Sequence, residues 1–229
     1  MKFLYLFINF GAFIVPLIFS FHPKIQFYKR WKFALPAIFI TALIFILWDI
    51  YFTQIKVWGF NPDYLTGIYF FNLPLEEVLF FICIPYSCLF TYHCFTLFIS
   101  PVIFKTIENK ITFSLLIFLS VFTFLFFDRV YTTVTFISLS TLLVVLFFVF
   151  KVNFLHRFYF TFLILLIPFL IVNGILTGTG IEQPVVWYNN FEITRFRILT
   201  IPFEDVFYGM LLQLLNVSLF ELFSRKAHA

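Results

Sequence analysis

Leu73-Pro74-Leu75-Glu76-Glu77-Val78-Leu79-Phe80-Phe81 sets two adjacent carboxylates at the mouth of a long apolar run. The same device returns near the C-terminus as Ile201-Pro202-Phe203-Glu204-Asp205-Val206-Phe207-Tyr208. Carboxylates beside the hydrocarbon region of a membrane are costly and mark functional sites. The chain has only 11 acidic residues, so two adjacent pairs in matching contexts ask for one explanation.

The apolar setting is general. Of 229 residues, 62% are hydrophobic, 24% aromatic and 11% charged. A soluble domain carries about 25% charged residues, and the mean hydropathy here is +1.03. These values predict an all-α integral membrane protein. The net charge of +4 comes without a basic run of the kind nucleic-acid binders use, so no nucleic-acid partner is expected. Cys83, Cys88 and Cys94 share one apolar segment and read as buried thiols. The N-terminal apolar run lacks a small-residue cleavage site and reads as a retained helix.

Seven segments approach the ~20 residues a spanning helix needs. They cover about 3–21, 33–53, 74–100, 111–127, 131–150, 157–176 and 202–223. Long loops at 54–73 and 177–201 precede the two acidic motifs, and a short loop at 101–110 precedes the fourth segment. Lys and Arg divide ten to five between the two ends of such a bundle. The richer end is expected to be cytoplasmic. The N-terminus then lies outside, and both acidic motifs face the outside of a cell (inner) membrane.

One constant offset, the step from residue 1 to residue 129, aligns the motifs without a gap. It carries Phe60-Asn61 onto Tyr188-Asn189, Leu73-Pro74 onto Ile201-Pro202, and Glu76-Glu77-Val78 onto Glu204-Asp205-Val206. Residues 1–100 and 129–229 then form two three-helix repeats, with a connector helix in 101–128. Four crossings separate helices one and five, so the copies are parallel, about an axis near the membrane normal. Both carboxylate pairs are thereby predicted to converge on one cavity.

Acids in a first helical turn gain about 0.3–1 kcal/mol from the helix dipole. That accounts for one acid per helix better than for a pair in each copy. Consecutive helical positions diverge by about 100°, so one acid of each pair is expected to face inward and the other a loop or headgroup. Glu76 and Glu204, identical between copies, lead the candidates, followed by Glu77 and Asp205. Asp49 ends helix two and reads as a further candidate or an interfacial residue. Asn61 and Asn189 read as turn residues or as groups orienting a carboxyl. Asn173 reads as an interhelical hydrogen-bonding group. Arg195 and Arg197 meet headgroups or pair with Glu204 or Asp205. Trp58, Trp187 and Tyr188 fit an interfacial aromatic belt, and His93 a buried histidine. Lysines confined to loops and helix ends argue against a retinal Schiff base. No metal-ligand spacing or glycine-rich phosphate loop is present in the sequence.

Trp48-Asp49, Trp58-x-Phe60-Asn61-Pro62 and Pro74-Leu75-Glu76-Glu77 resemble the first half of the membrane-embedded, non-flavin lycopene cyclases. Pro202-Phe203-Glu204-Asp205 and Asn216-Val217-Ser218-Leu219-Phe220-Glu221 resemble the second half. Such enzymes occur as heterodimers in actinobacteria and as fused domains in fungi and archaea; this chain is similar to the fused form. The resemblance implies redox-neutral cyclisation of the ψ-ends of lycopene to β-ionone rings without a cofactor. It implies a carotenoid substrate dissolved in membrane lipid, with Glu76, Glu77, Glu204, Asp205 and Asp49 supplying acid and base. Trp58, Phe60, Asn61, Pro74, Tyr188, Asn189, Asn173 and Arg195 are the expected substrate-binding set. The second copy departs from the first at Asp205 and at Asn190, which stands opposite Pro62, so the halves need not act equally. Other readings of the same residues are a small transporter with parallel 3+1+3 repeats, a non-catalytic carotenoid-binding protein, and a hydratase in which water traps the same cation.

Overall fold

The computed structural model describes residues 2–226. Seven helices form a bundle: α1 Leu4–Phe19, α2 Trp31–Gln54, α3 Leu75–Phe98, α4 Val102–Leu125, α5 Val130–Val144, α6 Leu155–Leu176 and α7 Phe203–Lys226. Six are long and apolar enough to cross a membrane, α5 with the π turn Val145–Val149 that continues it. The sequence reading of seven full-length spans needs correction at α1. This helix has 16 residues, about 24 Å at 1.5 Å per residue, against a ~30 Å hydrocarbon core. The protein is a multi-pass membrane protein. Many of its Phe residues, Phe7, Phe39 and Phe124 among them, point outward, where lipid is the solvent.

The fourth helix also begins earlier than expected. Residues 101–110 are not a loop, because α4 starts at Val102. Lys105 and Lys110 therefore lie within a helix, contrary to the expectation that every lysine sits in a loop or at a helix end. Both are exposed on its outer surface.

Proline shapes the helix contacts. Pro16 lacks the N–H that would bond the carbonyl four residues back, and the freed Ala12 carbonyl accepts the Ser87 hydroxyl of α3 at 2.9 Å. In lipid such a carbonyl needs an internal donor. A proline in α1 is thus converted into a tie between α1 and α3.

The two long loops are not featureless. They hold six short strands: β1 Trp58–Phe60, β2 Tyr69–Phe70, β3 Leu73–Pro74, β4 Val186–Tyr188, β5 Arg197–Ile198 and β6 Ile201–Pro202. β2 with β3 and β5 with β6 form hairpins leading into α3 and α7. Each hairpin turns at a residue with left-handed backbone, Phe71 (φ 55°) or Leu199 (φ 58°). The offset that aligns the acidic motifs carries the first of these onto the second. β1 and β4 pair antiparallel, with Trp58 opposite Tyr188, Gly59 opposite Trp187 and Phe60 opposite Val186. The pair is extended at both ends by matching bonds: Asn61 N–H donates to Val185 O and Asn189 N–H to Val57 O, each at 2.8 Å. This small sheet closes one end of the bundle over a cluster made by Tyr5, Phe52, Trp58, Tyr131, Val185 and Ile193.

Gly59 sits at the centre of that pairing because nothing larger fits. A Cβ there would lie 2.3 Å from Trp187 Cζ2. Overpacking of this kind costs about 1–3 kcal/mol. Gly59→Ala is expected to lower the unfolding temperature of the detergent-solubilised protein, and Trp187→Ala in the same chain to recover most of the loss; thermal unfolding of the two variants checks it.

Candidate active site

Each acidic motif begins the same way. Pro74 and Pro202 end their hairpins and lead into the helix. Leu75 N–H bonds back to Ile68 O, and Phe203 N–H to Phe196 O. All four motif acids are buried: Glu76 and Glu204 are 0% exposed, Glu77 7% and Asp205 3%. The expectation that one acid of each pair faces a loop is met in direction, yet neither reaches a headgroup. Glu76 Oε1 accepts Thr66 N–H at 2.6 Å, and Glu204 Oε1 accepts Thr194 N–H at the same distance. Glu204 also accepts the Thr132 hydroxyl of α5 at 2.6 Å. These two glutamates tie their hairpins to the helix starts.

Glu77 and Asp205, one helical step on, face the interior. Together with Asp49 of α2 they line a single chamber of about 80 Å³. Asp205 is held by three neutral donors: Tyr131 Oη to Oδ1 at 2.7 Å, and Tyr188 Oη and Asn173 Nδ2 to Oδ2 at 2.9 and 3.1 Å. Glu77 accepts Tyr5 Oη at 2.6 Å, and Asp49 accepts Tyr208 Oη at 2.8 Å. The Asp49 and Glu77 side chains also meet each other within hydrogen-bonding reach. Two carboxyls in contact favour a shared proton over two negative charges. Among the described residues, no Lys or Arg lines the chamber. Burial, and then the neighbouring Asp205 carboxyl, hold the Tyr188 hydroxyl well above the ordinary phenol range, so Tyr188 remains a donor. Trp58, Phe60, Phe80 and Phe169 supply aromatic walls.

Of the residues singled out from sequence, Asp49, Glu77, Asp205, Trp58, Phe60, Tyr188 and Asn173 meet in this chamber. Glu76 and Glu204 stand behind it. Asn61 and Asn189 serve their turns, accepting Asp63 N–H and Phe191 N–H at 3.1 and 3.0 Å. Pro74 is paired in its hairpin. Arg195 has left-handed backbone (φ 68°), as does Gly67 (φ 86°), its counterpart in the first copy. Its Nε donates to Asn190 O at 3.2 Å, and Arg197 bonds Thr200 O and Asn190 Oδ1. Neither arginine forms an ion pair with Glu204 or Asp205 among the described residues. His93 bonds Ile25 O at 3.0 Å, far along α3. The cysteines are free, and no metal-holding cluster occurs among the described residues.

The site residues that sequence reasoning passed over are Tyr5, Tyr131, Tyr208 and Gln213. Tyr5 and Tyr131 do the same work, each donating to the second acid of its motif. The ungapped offset carries Tyr5 onto Thr133, two positions past Tyr131, and so hides their equivalence.

The fold and chamber define a class: a multi-pass helical membrane protein with a cation-free carboxyl site under a strand cap. A family model described as Lycopene cyclase matches residues 2–95 and 128–223. The chain belongs to the lycopene cyclase family, and membership supports a carotenoid cyclase with a lipophilic carotenoid substrate. No curated protein and no solved structure matches the chain.

Thr132→Val removes a hydroxyl from a fully buried carboxylate. Leaving such a group short of a donor costs about 1–3 kcal/mol. The variant is expected to unfold at lower temperature than wild type, measured by thermal denaturation in detergent.

Proposed function

We propose that the chain closes the acyclic ψ-ends of lycopene into β-ionone rings without redox change, with the Asp49–Glu77 pair as acid and Asp205 as base. The observation that carries this reading is the inequality of the carboxyls within one chamber. One pair, Asp49 and Glu77, meets with no cation lining the chamber beside it, an arrangement that favours holding a shared proton. The third accepts three neutral hydrogen bonds, which favours the carboxylate.

The shared proton goes to the terminal double bond and leaves a tertiary carbocation. The next double bond supplies the electron pair for the new ring C–C bond, which moves the positive charge onto a ring carbon. Asp205 takes a proton from the adjacent carbon, and that C–H pair becomes the ring double bond. One proton enters and one leaves, so substrate and product are isomers. Aromatic faces around the chamber stabilise the cation, and their packing keeps out water that would trap it as an alcohol. Carboxyl groups with environments that push them apart suit such paired acid and base work. Glu76 and Glu204 act as positioning residues: each fixes the hairpin and the helix start that aims its neighbour.

Contacts repeated at one constant offset, and a β1–β4 pair in which each strand plays the other's part, support parallel repeats in 1–100 and 129–229 around a connector in 101–128. The ten-to-five division of Lys and Arg supports a cytoplasmic C-terminus in a cell membrane. The carboxyls gather under the strand cap and are not spread along several helices at mid-bundle, which favours catalysis over transport.

The test is expression in a bacterial host that accumulates lycopene, with pigment analysis. Wild type is expected to yield a cyclic isomer of unchanged mass. Asp205→Asn and Glu77→Gln are each expected to cut conversion at least a hundredfold, since losing a positioned acid or base costs about 10²–10⁴. Persisting lycopene with wild type present in the membrane overturns the reading, and a hydroxylated product assigns the chain to hydration instead. In heavy water each ring closure is expected to add one deuterium, read by mass spectrometry; absence of label overturns the proton-initiated route.

A further inference from the structure

The acid chamber does not end at its aromatic wall. Phe80, Ile84, Phe169, Asn173 and Gln213 line it and also line a second cavity of about 420 Å³. This second space is a groove with α1 and α3 on one side and α6 on the other. Along α3 it runs from Phe80 to Thr91, about 16 Å at 1.5 Å rise per residue. Its lining is almost wholly apolar. Of its polar residues, Asn173 and Gln213 stand at the junction with the chamber; along α3, Ser87 Oγ donates to Ala12 O and Cys83 O, and Thr91 Oγ1 to Ser87 O. Gly11 and Pro168 at its rim are exposed, so it opens sideways to lipid and not through the strand cap.

The opposite flank of the chamber is shut. There Phe45 and Trp48 of α2 pack against the Tyr208 ring, with centroids 5.1 and 5.6 Å apart. Tyr208 is the counterpart of Phe80 in the second copy. One copy thus closes with an aromatic stack where the other leaves a groove.

We propose that this groove is the lateral entrance and seat of the polyene chain, which lies along α3 with one end group forward among Asp49, Glu77 and Asp205. The inference rests on the cyclase reading. A hydrocarbon substrate reaches the site only from the bilayer, and a sideways groove delivers it without admitting water to the cation. Along α3 the groove's own hydroxyls are already donating within the protein, so that stretch favours an unsubstituted chain over one with a hydroxyl to desolvate. A single entrance admits one end at a time. The second ring therefore requires the chain to leave and turn round, which releases a monocyclic product into the membrane.

Gly11 supplies the test. A Cβ built there meets no atom within 4 Å, so a side chain can be added at this groove-lining position without a clash at its Cβ. Gly11→Phe, compared at equal membrane abundance, is expected to lower lycopene conversion at least tenfold, while Gly11→Ala converts normally. A readout free of chemistry uses Gly11→Cys and a lipid-soluble maleimide, with modification at position 11 read by peptide mass. Lycopene in the membrane is expected to slow that labelling at least tenfold. Full conversion by Gly11→Phe overturns the proposal, and so does labelling that lycopene leaves unchanged. Protection of position 11 by a protein that forms no ring would overturn the cyclase reading instead and leave the groove standing. In a time course, monocyclic product is expected before bicyclic; bicyclic product with no free monocyclic stage overturns the one-end rule.

Discussion

Five carboxyl groups, Asp49 and the two motif pairs, are buried at one end of an apolar bundle. None of them forms an ion pair with Lys or Arg among the described residues. In that setting each must find neutral donors or share a proton, because an isolated charge is untenable there. Most of the local architecture answers this demand. The hairpins bring Thr66 and Thr194 N–H groups to Glu76 and Glu204. Tyrosines from α1, α5, β4 and α7 serve the other three. The β1–β4 pair then joins the two loops that carry the Thr66, Thr194 and Tyr188 donors and sets Tyr188 against Asp205.

The division of labour within each pair follows from helix geometry. Adjacent residues on a helix point about 100° apart. The first acid therefore turns back to its own hairpin, and the second turns to the shared interior. The chamber-lining acid and the anchoring acid are separated by one residue number. The two halves then diverge by small changes. Asp49 meets Glu77, whereas Asn173 meets Asp205; Tyr208 bonds a carboxyl, whereas Phe80, its counterpart, borders the groove. A duplicated frame with unequal side chains can hold acid, base and entrance in one volume.

The sequence by itself determined the membrane class, because no soluble core could cover so many apolar side chains, and apart from the start of α4 it placed the helices to within a few residues. The constant offset between copies located the motifs, since both hairpins have equal length and the alignment needs no gap there. Asp49, Glu77 and Asp205 were all visible as misplaced charges. Only tertiary structure decided which acids line the chamber and which bond their own hairpins. Identity between copies favoured Glu76 and Glu204, but identity here reflects a common anchoring bond, and which face an acid presents depends on where the neighbouring helices lie. Tyr5 and Tyr131 were hidden by a small shift in register between the copies, and the strands by runs too short to show a period. Arg195 stood out by charge, whereas its position is governed by a left-handed backbone that Gly67 shares. The start of α4 and the groove beside α6 depended on packing between segments distant in the chain, which no local pattern encodes.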